Sequence, residues 1–274
     1  VTGVQTCALP ILAALDRPRK HYQWYYSTRE ADADMRFCAQ GVHDFLRAYY
    51  HHKSADWKAN KPFPLKSWTA DELAKMPTYY IMDLADGMAE TVAKEMPSSA
   101  EIAANMWLPE AEMKVYSGEY GRTGFQGGLN WYRVRTSGRH NAELEVFTGR
   151  TIDVPATFIS GRNDWGIYQV PGAIKRMQTV ACTKMKEIHL LEGAGHWVQQ
   201  ERPEEVNAAL LGFLDGLDAP ELAALCSTLV YEARGAEERP DPRMPTATLR
   251  ARWRDLSRTA RELRSEYEVL GVGS

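Results

Sequence analysis

Two stretches carry the architecture: residues 154–165, Val-Pro-Ala-Thr-Phe-Ile-Ser-Gly-Arg-Asn-Asp-Trp, and residues 187–197, Glu-Ile-His-Leu-Leu-Glu-Gly-Ala-Gly-His-Trp. Val154–Ser160 and Glu187–Leu191 are short apolar runs, rich in β-branched residues in the first case, and each stops at or just before a glycine, Gly161 and Gly193. Such runs read as buried strands. Pro171–Lys184 between them reads as a helix. Pro203–Leu217 behind them reads as an amphipathic helix with Val206, Leu210, Phe213, Leu214 and Leu217 on one face. Strand–helix–strand–helix predicts a parallel α/β layer. Two strands do not make a stable sheet, so further strands are expected upstream.

In open α/β sheets the reactive groups collect at the carboxyl ends of the strands. The first run delivers Asp164 there and the second delivers His196. Taken singly, Asp164 reads as a turn residue and His196 as a loop histidine. Together, after consecutive strands, they stand in the Asp…His order of a hydrolytic triad. The chemistry needs both: a carboxylate to orient an imidazole and stabilise its cation, and an imidazole to take a proton from water or a nucleophile.

Upstream the texture differs. Residues 28–150 are rich in aromatic and helix-period apolar positions, with polar breaks at Asn60–Pro64, Pro97–Ser99 and Gly124–Gly128. Glu72–Lys75, Asp83–Lys94 and Glu110–Tyr120 read as helices, and no strand alternation is visible, so this is a helical subdomain. His51-His52 lacks the H-E-x-x-H pattern of a metal site and reads as a surface pair. Glu30, Asp32 and Asp34 lack the glycine and distal glutamate of a calcium loop. Gly-Lys occurs nowhere, which excludes a P-loop.

Gly195-His-Trp-Val-Gln-Gln-Glu-Arg-Pro-Glu-Glu-Val-Asn207 closely resembles the histidine loop of the epoxide hydrolases of the α/β-hydrolase superfamily. Gly124-Phe-Gln-Gly-Gly-Leu-Asn-Trp-Tyr-Arg133 is similar to the end of their helical lid, and His21-Tyr-Gln-Trp-Tyr25 to the segment leading into it. The resemblance covers about residues 18–217, in the family's order. It implies an epoxide-opening hydrolase that works through an ester intermediate and needs no metal or organic cofactor. In that family two lid tyrosines bind the epoxide oxygen, and the matching motifs place them at Tyr22 and Tyr132. Asp164 and His196 match the charge-relay acid and base. A phenol with its pKa near 10 stays protonated at neutral pH and can donate to an oxygen that is gaining charge. Tyr25 and Tyr26 lie next to Tyr22, so Tyr132 is the firmer assignment.

A nucleophile elbow needs G-x-[Ser/Asp/Cys]-x-G. The two G-x-x-x-G windows centre on Gln126 and Leu214, and no histidine is followed by glycine, so neither the nucleophile nor an H-G oxyanion motif is in this sequence. Residues 1–11, Val-Thr-Gly-Val-Gln-Thr-Cys-Ala-Leu-Pro-Ile, look like a sequencing-library adapter translated in frame into a metagenomic gene. On that expectation both motifs belong to an N-terminal half that the adapter replaced.

The other end changes character too. Residues 219–274 hold 9 arginines and no lysine. Asp218-Ala-Pro-Glu221 is a capping box, and Leu222, Leu225, Cys226 and Leu229 follow it at helical spacing. Beyond a break at Pro240–Pro245, Leu249, Trp253, Leu256, Ala260, Leu263, Tyr267 and Leu270 form heptads. A helix packed on its own chain is the plain reading, and a homodimer through 249–270 is the alternative.

With 274 residues, 44% of them hydrophobic, and a net charge of −3, the chain has no electrostatic case for nucleic acid as its partner. No apolar run reaches the length of a membrane span. The four cysteines, Cys7, Cys38, Cys182 and Cys226, are far apart, which suits a reducing cytoplasm. The expected plan is the C-terminal part of an α/β-hydrolase fold with a helical lid and an extra helical tail. Residues 12–27 end the N-terminal half of the core and approach the lid, 28–150 form the lid, 151–217 the C-terminal half of the core, and 218–274 a tail of unknown origin. The substrate is a small molecule, and the chain by itself is expected to be inactive. A serine esterase, a dehalogenase and a non-catalytic helical interaction module stand as alternatives. An open half-sheet predicts self-association.

Overall fold

A computed structural model describes residues 8–218. In chain order it contains α1 (Ala8–Ala13), β1 (Arg19–His21), α2 (Tyr22–Ser27), α3 (Glu30–Arg36), α4 (Gly41–Lys53), α5 (Ala70–Leu73), β2 (Ile81–Asp83) and α6 (Met88–Ala93). There follow α7 (Ser99–Ala104), α8 (Glu110–Thr123), α9 (Gln126–Ser137), α10 (Asn141–Glu145), β3 (Ala156–Gly161), α11 (Ala173–Arg176), β4 (Met185–Leu191), α12 (Val198–Glu201) and α13 (Pro203–Asp215). The capping box, tail helix and 249–270 heptads expected downstream, and most of the adapter-like stretch, lie outside the described residues.

β3 and β4 are parallel and in register from Thr157 opposite Glu187 to Gly161 opposite Leu191, as two apolar runs joined by a crossover should be. The crossover is less regular than its sequence suggests. Instead of one helix over 171–184 it holds α11 and a π-helical turn, Met177–Ala181. Gly172, at φ +73°, delays the helix start.

The main core is in the helical layer, where Phe45 of α4, Leu73, Met88, Val92, Leu108 and Met113 are sealed from solvent. Its aromatic content explains how short helices hold together: their apolar faces meet in one cluster. The sequence showed no strand here, yet Ile81–Asp83 pairs antiparallel with Arg19–His21, and the helix expected over 83–94 shrinks to Met88–Ala93. The strand pattern is hidden because β1 is built of Arg, Lys and His; the Arg19 guanidinium is buried and donates to the Ile81 carbonyl. His51 and His52 are also buried, which corrects the surface reading. His52 lies edge-on to Trp57 and Tyr79, with ring centres 4.4 and 4.8 Å away.

Under the parallel pair the core is thin: Ala194, Val198 and Val206 pack against Ile159 and Leu191. α13 turns only part of its apolar stripe inward. Of the expected face Val206 is buried and Phe213, Leu214 and Leu217 are half-buried, but Leu210 is 43% exposed, and Leu211 beside that face is 54% exposed.

Candidate active site

β3 ends at Gly161, and the turn that follows places Asp164 just before a 3₁₀ turn, Trp165–Ile167, whose Gly166 N–H donates to Asp164 Oδ1 at 2.7 Å. β4 ends at Leu191, and its loop carries His196 back across the sheet. The Nδ1 of His196 lies 3.2 Å from both carboxylate oxygens of Asp164. The turns meet because both are stripped of side chains. A Cβ on Gly161 would overlap the carbonyl oxygens of Ala194 and Gly195, and one on Gly195 would come within 2.5 Å of the Lys53 carbonyl. Here the glycines are needed for close backbone approach rather than for an unusual φ.

The histidine loop is fastened to the helical layer. His196 N–H donates to the carbonyl of Lys53, the last residue of α4, at 3.0 Å. Trp197 stacks on Tyr50 at 4.3 Å and donates its indole N–H to the Tyr50 carbonyl at 2.9 Å. Beneath the loop, buried Glu201 accepts three backbone N–H bonds: from Ala55 at 2.8 Å, Gly195 at 2.9 Å and Trp197 at 3.0 Å. The sequence assigned Glu201 no role, since it reads there as one polar residue in a polar run. Burial pushes its carboxyl pKa up, against the pull of those three donors.

The electrostatics of the pair are set by opposing causes. Burial pushes the Asp164 carboxyl up, but the hydrogen bond to and charge of His196, the Gly166 N–H and the Lys53 ammonium outweigh it, and the pKa falls below its ordinary value. His196 is pushed down by burial and then by Lys53, with Asp164 acting against both, so a neutral imidazole is favoured. Neutral imidazole, oriented through Nδ1 by a carboxylate, is the form that can take up a proton.

Tyr22 and Tyr132 come together although 110 positions apart in the numbering. α9 lies along α2, tied by Thr136 Oγ1 to Ser27 Oγ at 2.7 Å and by Arg133 to the Thr28 carbonyl at 2.9 Å. The two rings meet edge to face at 5.7 Å. Tyr26 lies 4.9 Å from Tyr132, and its hydroxyl reaches that of Tyr49 at 3.3 Å. Burial raises the pKa of both Tyr22 and Tyr132, which keeps each phenol a proton donor. Of the two neighbours that made Tyr22 the weaker assignment, Tyr25 is directed elsewhere, with its hydroxyl on Asp34 at 3.3 Å, whereas Tyr26 stays against Tyr132.

A cavity of about 440 Å³ opens beside Asp164 and His196, lined by Phe158, Ile159 and Ser160 of β3 and by Val198 among others; Tyr22 and Tyr132 are not among its lining residues. It is mostly apolar in its lining side chains with the two ionisable groups at its wall, a composition suited to a small organic molecule. Among the described residues no three His, Cys, Asp or Glu side chains converge to hold a metal ion, and no helix is long and apolar enough to cross a membrane.

Parts of the chain are similar to known proteins. The chain is 43% identical over 123 residues to epoxide hydrolase A of Mycobacterium tuberculosis, covering 45% of this chain and 36% of that protein. It is 39% identical over 111 residues to epoxide hydrolase B of the same organism, covering 40% and 30%. The crystal structure of epoxide hydrolase A from Mycobacterium thermoresistibile superimposes with a TM-score of 0.54 at 30% identity, over 77% of this chain and 60% of that one. The part of the chain that these proteins match is a portion of an α/β-hydrolase. More particularly, it is an epoxide hydrolase-like portion. The chain spans about a third of the length of these curated relatives. Residues 207–270 match a different family model, the DSHCT (NUC185) domain, which overlaps α13 and continues into the tail whose origin the sequence left open.

Proposed function

We propose that this chain carries the lid and charge-relay half of a hydrolase that opens epoxides. A carboxylate nucleophile attacks an epoxide carbon, the C–O bond breaks toward oxygen, and that oxygen takes a proton from Tyr22 or Tyr132. Neutral His196, oriented by Asp164, then removes a proton from a water that attacks the ester carbonyl. Collapse of the tetrahedral intermediate passes its hydroxyl proton to the departing oxygen, releases a diol and restores the carboxylate, and the proton held by His196 returns to the tyrosinate. No residue of the two G-x-x-x-G windows can serve as that nucleophile, so the reading assigns the chain no turnover by itself. Asp164, His196, Tyr22 and Tyr132 are its site residues, its substrate is a small molecule, it uses no cofactor, and it works in the cytoplasm.

The observation that carries this reading is the contact of His196 Nδ1 with both Asp164 oxygens at 3.2 Å, beside a cavity with space for a small molecule. The tyrosine pair favours an epoxide over an ester or an alkyl halide. Neither ester cleavage nor halide departure needs two neutral phenols, whereas an opening epoxide leaves an alkoxide that must be protonated. The test joins residues 18–217 to the N-terminal half of epoxide hydrolase A from Mycobacterium tuberculosis and follows styrene oxide hydrolysis. Tyr22→Phe and Tyr132→Phe should each lower kcat about 10- to 1000-fold. Unchanged turnover in both would overturn the tyrosine assignment and return the esterase and dehalogenase readings to equal standing.

The match over 207–270 favours a second reading for the tail alone, as a helical DSHCT-like segment joined to the hydrolase part. Its heptads at 249–270 then supply a seam for a homodimer, which sedimentation of the chain with and without residues 249–270 would test.

A further inference from the structure

Lys53 ends α4 with its side chain turned inward, 6% exposed. Its ammonium lies 4.8 Å from the centre of the Tyr49 ring, 5.3 Å from Trp197, 5.4 Å from Tyr79 and 5.7 Å from Tyr80. It donates to the Tyr49 hydroxyl at 3.1 Å, and no ion pair holds it among the described residues. Burying a lysine this way is costly, and cation–π contacts return only part of the cost. A methionine could fill the same space without the penalty, so the charge itself needs a reason.

The surroundings supply one. The carbonyl of this residue receives the His196 N–H at 3.0 Å, and one wall of its cage is Trp197, next along the histidine loop. Its positive field reaches His196, Asp164 and Tyr22. Through Tyr49 and Tyr26 it also backs the ring of Tyr132.

We propose that Lys53 is a positioning residue of the dyad: its caged ammonium is a fixed positive charge behind the histidine loop that opposes a second cation on His196, so that the imidazole waits as a neutral base. The proposal rests on the dyad reading above. Other groups face the imidazole from each neighbouring element. Asp164, after β3, favours the imidazolium and so works against Lys53. The phenols of Tyr79 and Tyr80 face Asp164 and stay neutral, raised by burial. Glu201 of α12 faces the loop from below, but its oxygens are taken by backbone N–H groups. With Asp164 alone the histidine would charge early and lose its capacity to accept a proton from water; the lysine restores the balance.

The test measures the His196 titration midpoint by hydrogen–deuterium exchange at its ring carbon, read by mass spectrometry of the digested full chain at micromolar concentration. Lys53→Gln, one atom shorter but able to hydrogen-bond Tyr49, removes the charge, and it should raise the midpoint by roughly half to one pH unit. Lys53→Arg keeps the charge and should leave the midpoint where it is, which a merely structural role would not require. Asp164→Asn should lower it. A lowered midpoint in Asp164→Asn with no rise in Lys53→Gln overturns the lysine proposal and leaves the dyad standing; no change in Asp164→Asn overturns the dyad itself. If Lys53→Gln does not fold, acylation of the unsubstituted chain decides. Lys53 should react far more slowly than Lys58, whose side chain is 89% exposed, and equal rates overturn the proposal.

Discussion

Replacing Glu201 should be among the most damaging single changes in this chain, although the residue touches neither Asp164 nor the imidazole ring. Its two oxygens take three backbone N–H groups, one from the end of α4 and two from the histidine loop. Glu201→Ala strands all three. The Gly195 N–H is buried, so losing its acceptor carries most of the desolvation cost, about 1–3 kcal/mol; the other two are half-buried, recover some water and cost about 1 kcal/mol each. The sum is about 3–5 kcal/mol. Glu201→Gln retains one oxygen, which can keep the two bonds now made by Oε2, and should cost about 1–2 kcal/mol. The two variants also differ in pH response. Because burial raises the folded-state pKa of Glu201, the native state binds its proton more tightly than the unfolded state, and this group's contribution falls as pH rises through the folded value. Glutamine has no such titration, so the gap between Glu201→Gln and the parent should be smaller near pH 7 than near pH 4. Urea unfolding followed by tryptophan fluorescence measures both effects. A Glu201→Ala variant within about 1 kcal/mol of the parent would refute the argument that these bonds hold the histidine loop to the helical layer.

Other outcomes follow from buried histidines and exposed leucines. Neither ring nitrogen of His52 has a hydrogen-bond partner, and burial pushes its pKa down to about 3. The unfolded chain therefore binds the proton first, and stability is lost as pH falls below about 6.5. His52→Phe should remove that loss and gain about 2 kcal/mol more, relative to the parent, near pH 5 than near pH 7 in the same unfolding assay; an equal difference at both pH values would contradict it. Leu210 and Leu211 lie uncovered on α13, and Leu211→Lys should reduce the average mass of the chain in light scattering, whereas an unchanged mass would locate self-association elsewhere.

The sequence exposed the parts of this architecture that depend on local pattern. β3 and β4 were legible because buried parallel strands are apolar runs, and Asp164 and His196 because reactive groups follow such strands. Tyr22 and Tyr132 were found by motif alone; no periodicity could have paired residues that meet only when α9 lies along α2. Lys53 and Glu201 escaped for a different reason. A lysine in the last turn of a helix ordinarily serves the helix dipole from solvent, and a glutamate in a polar run ordinarily stays there. Only the packing of the histidine loop onto the end of α4 turns both inward. β1 and β2 were missed because a three-residue strand is too short to alternate, and the exposure of Leu210 because an amphipathic stripe does not state whether a partner covers it.

The most direct test of the central claim traps the covalent intermediate in the protein that joins residues 18–217 to the N-terminal half of the Mycobacterium tuberculosis epoxide hydrolase A. With His196→Asn and excess styrene oxide, intact-mass spectrometry should show about one equivalent of ester on a carboxylate of the supplied half, persisting where the unsubstituted protein turns over. Turnover undiminished by His196→Asn, or failure of the folded His196→Asn hybrid to form any adduct, would contradict the assignment of this chain as the charge-relay half of an epoxide hydrolase.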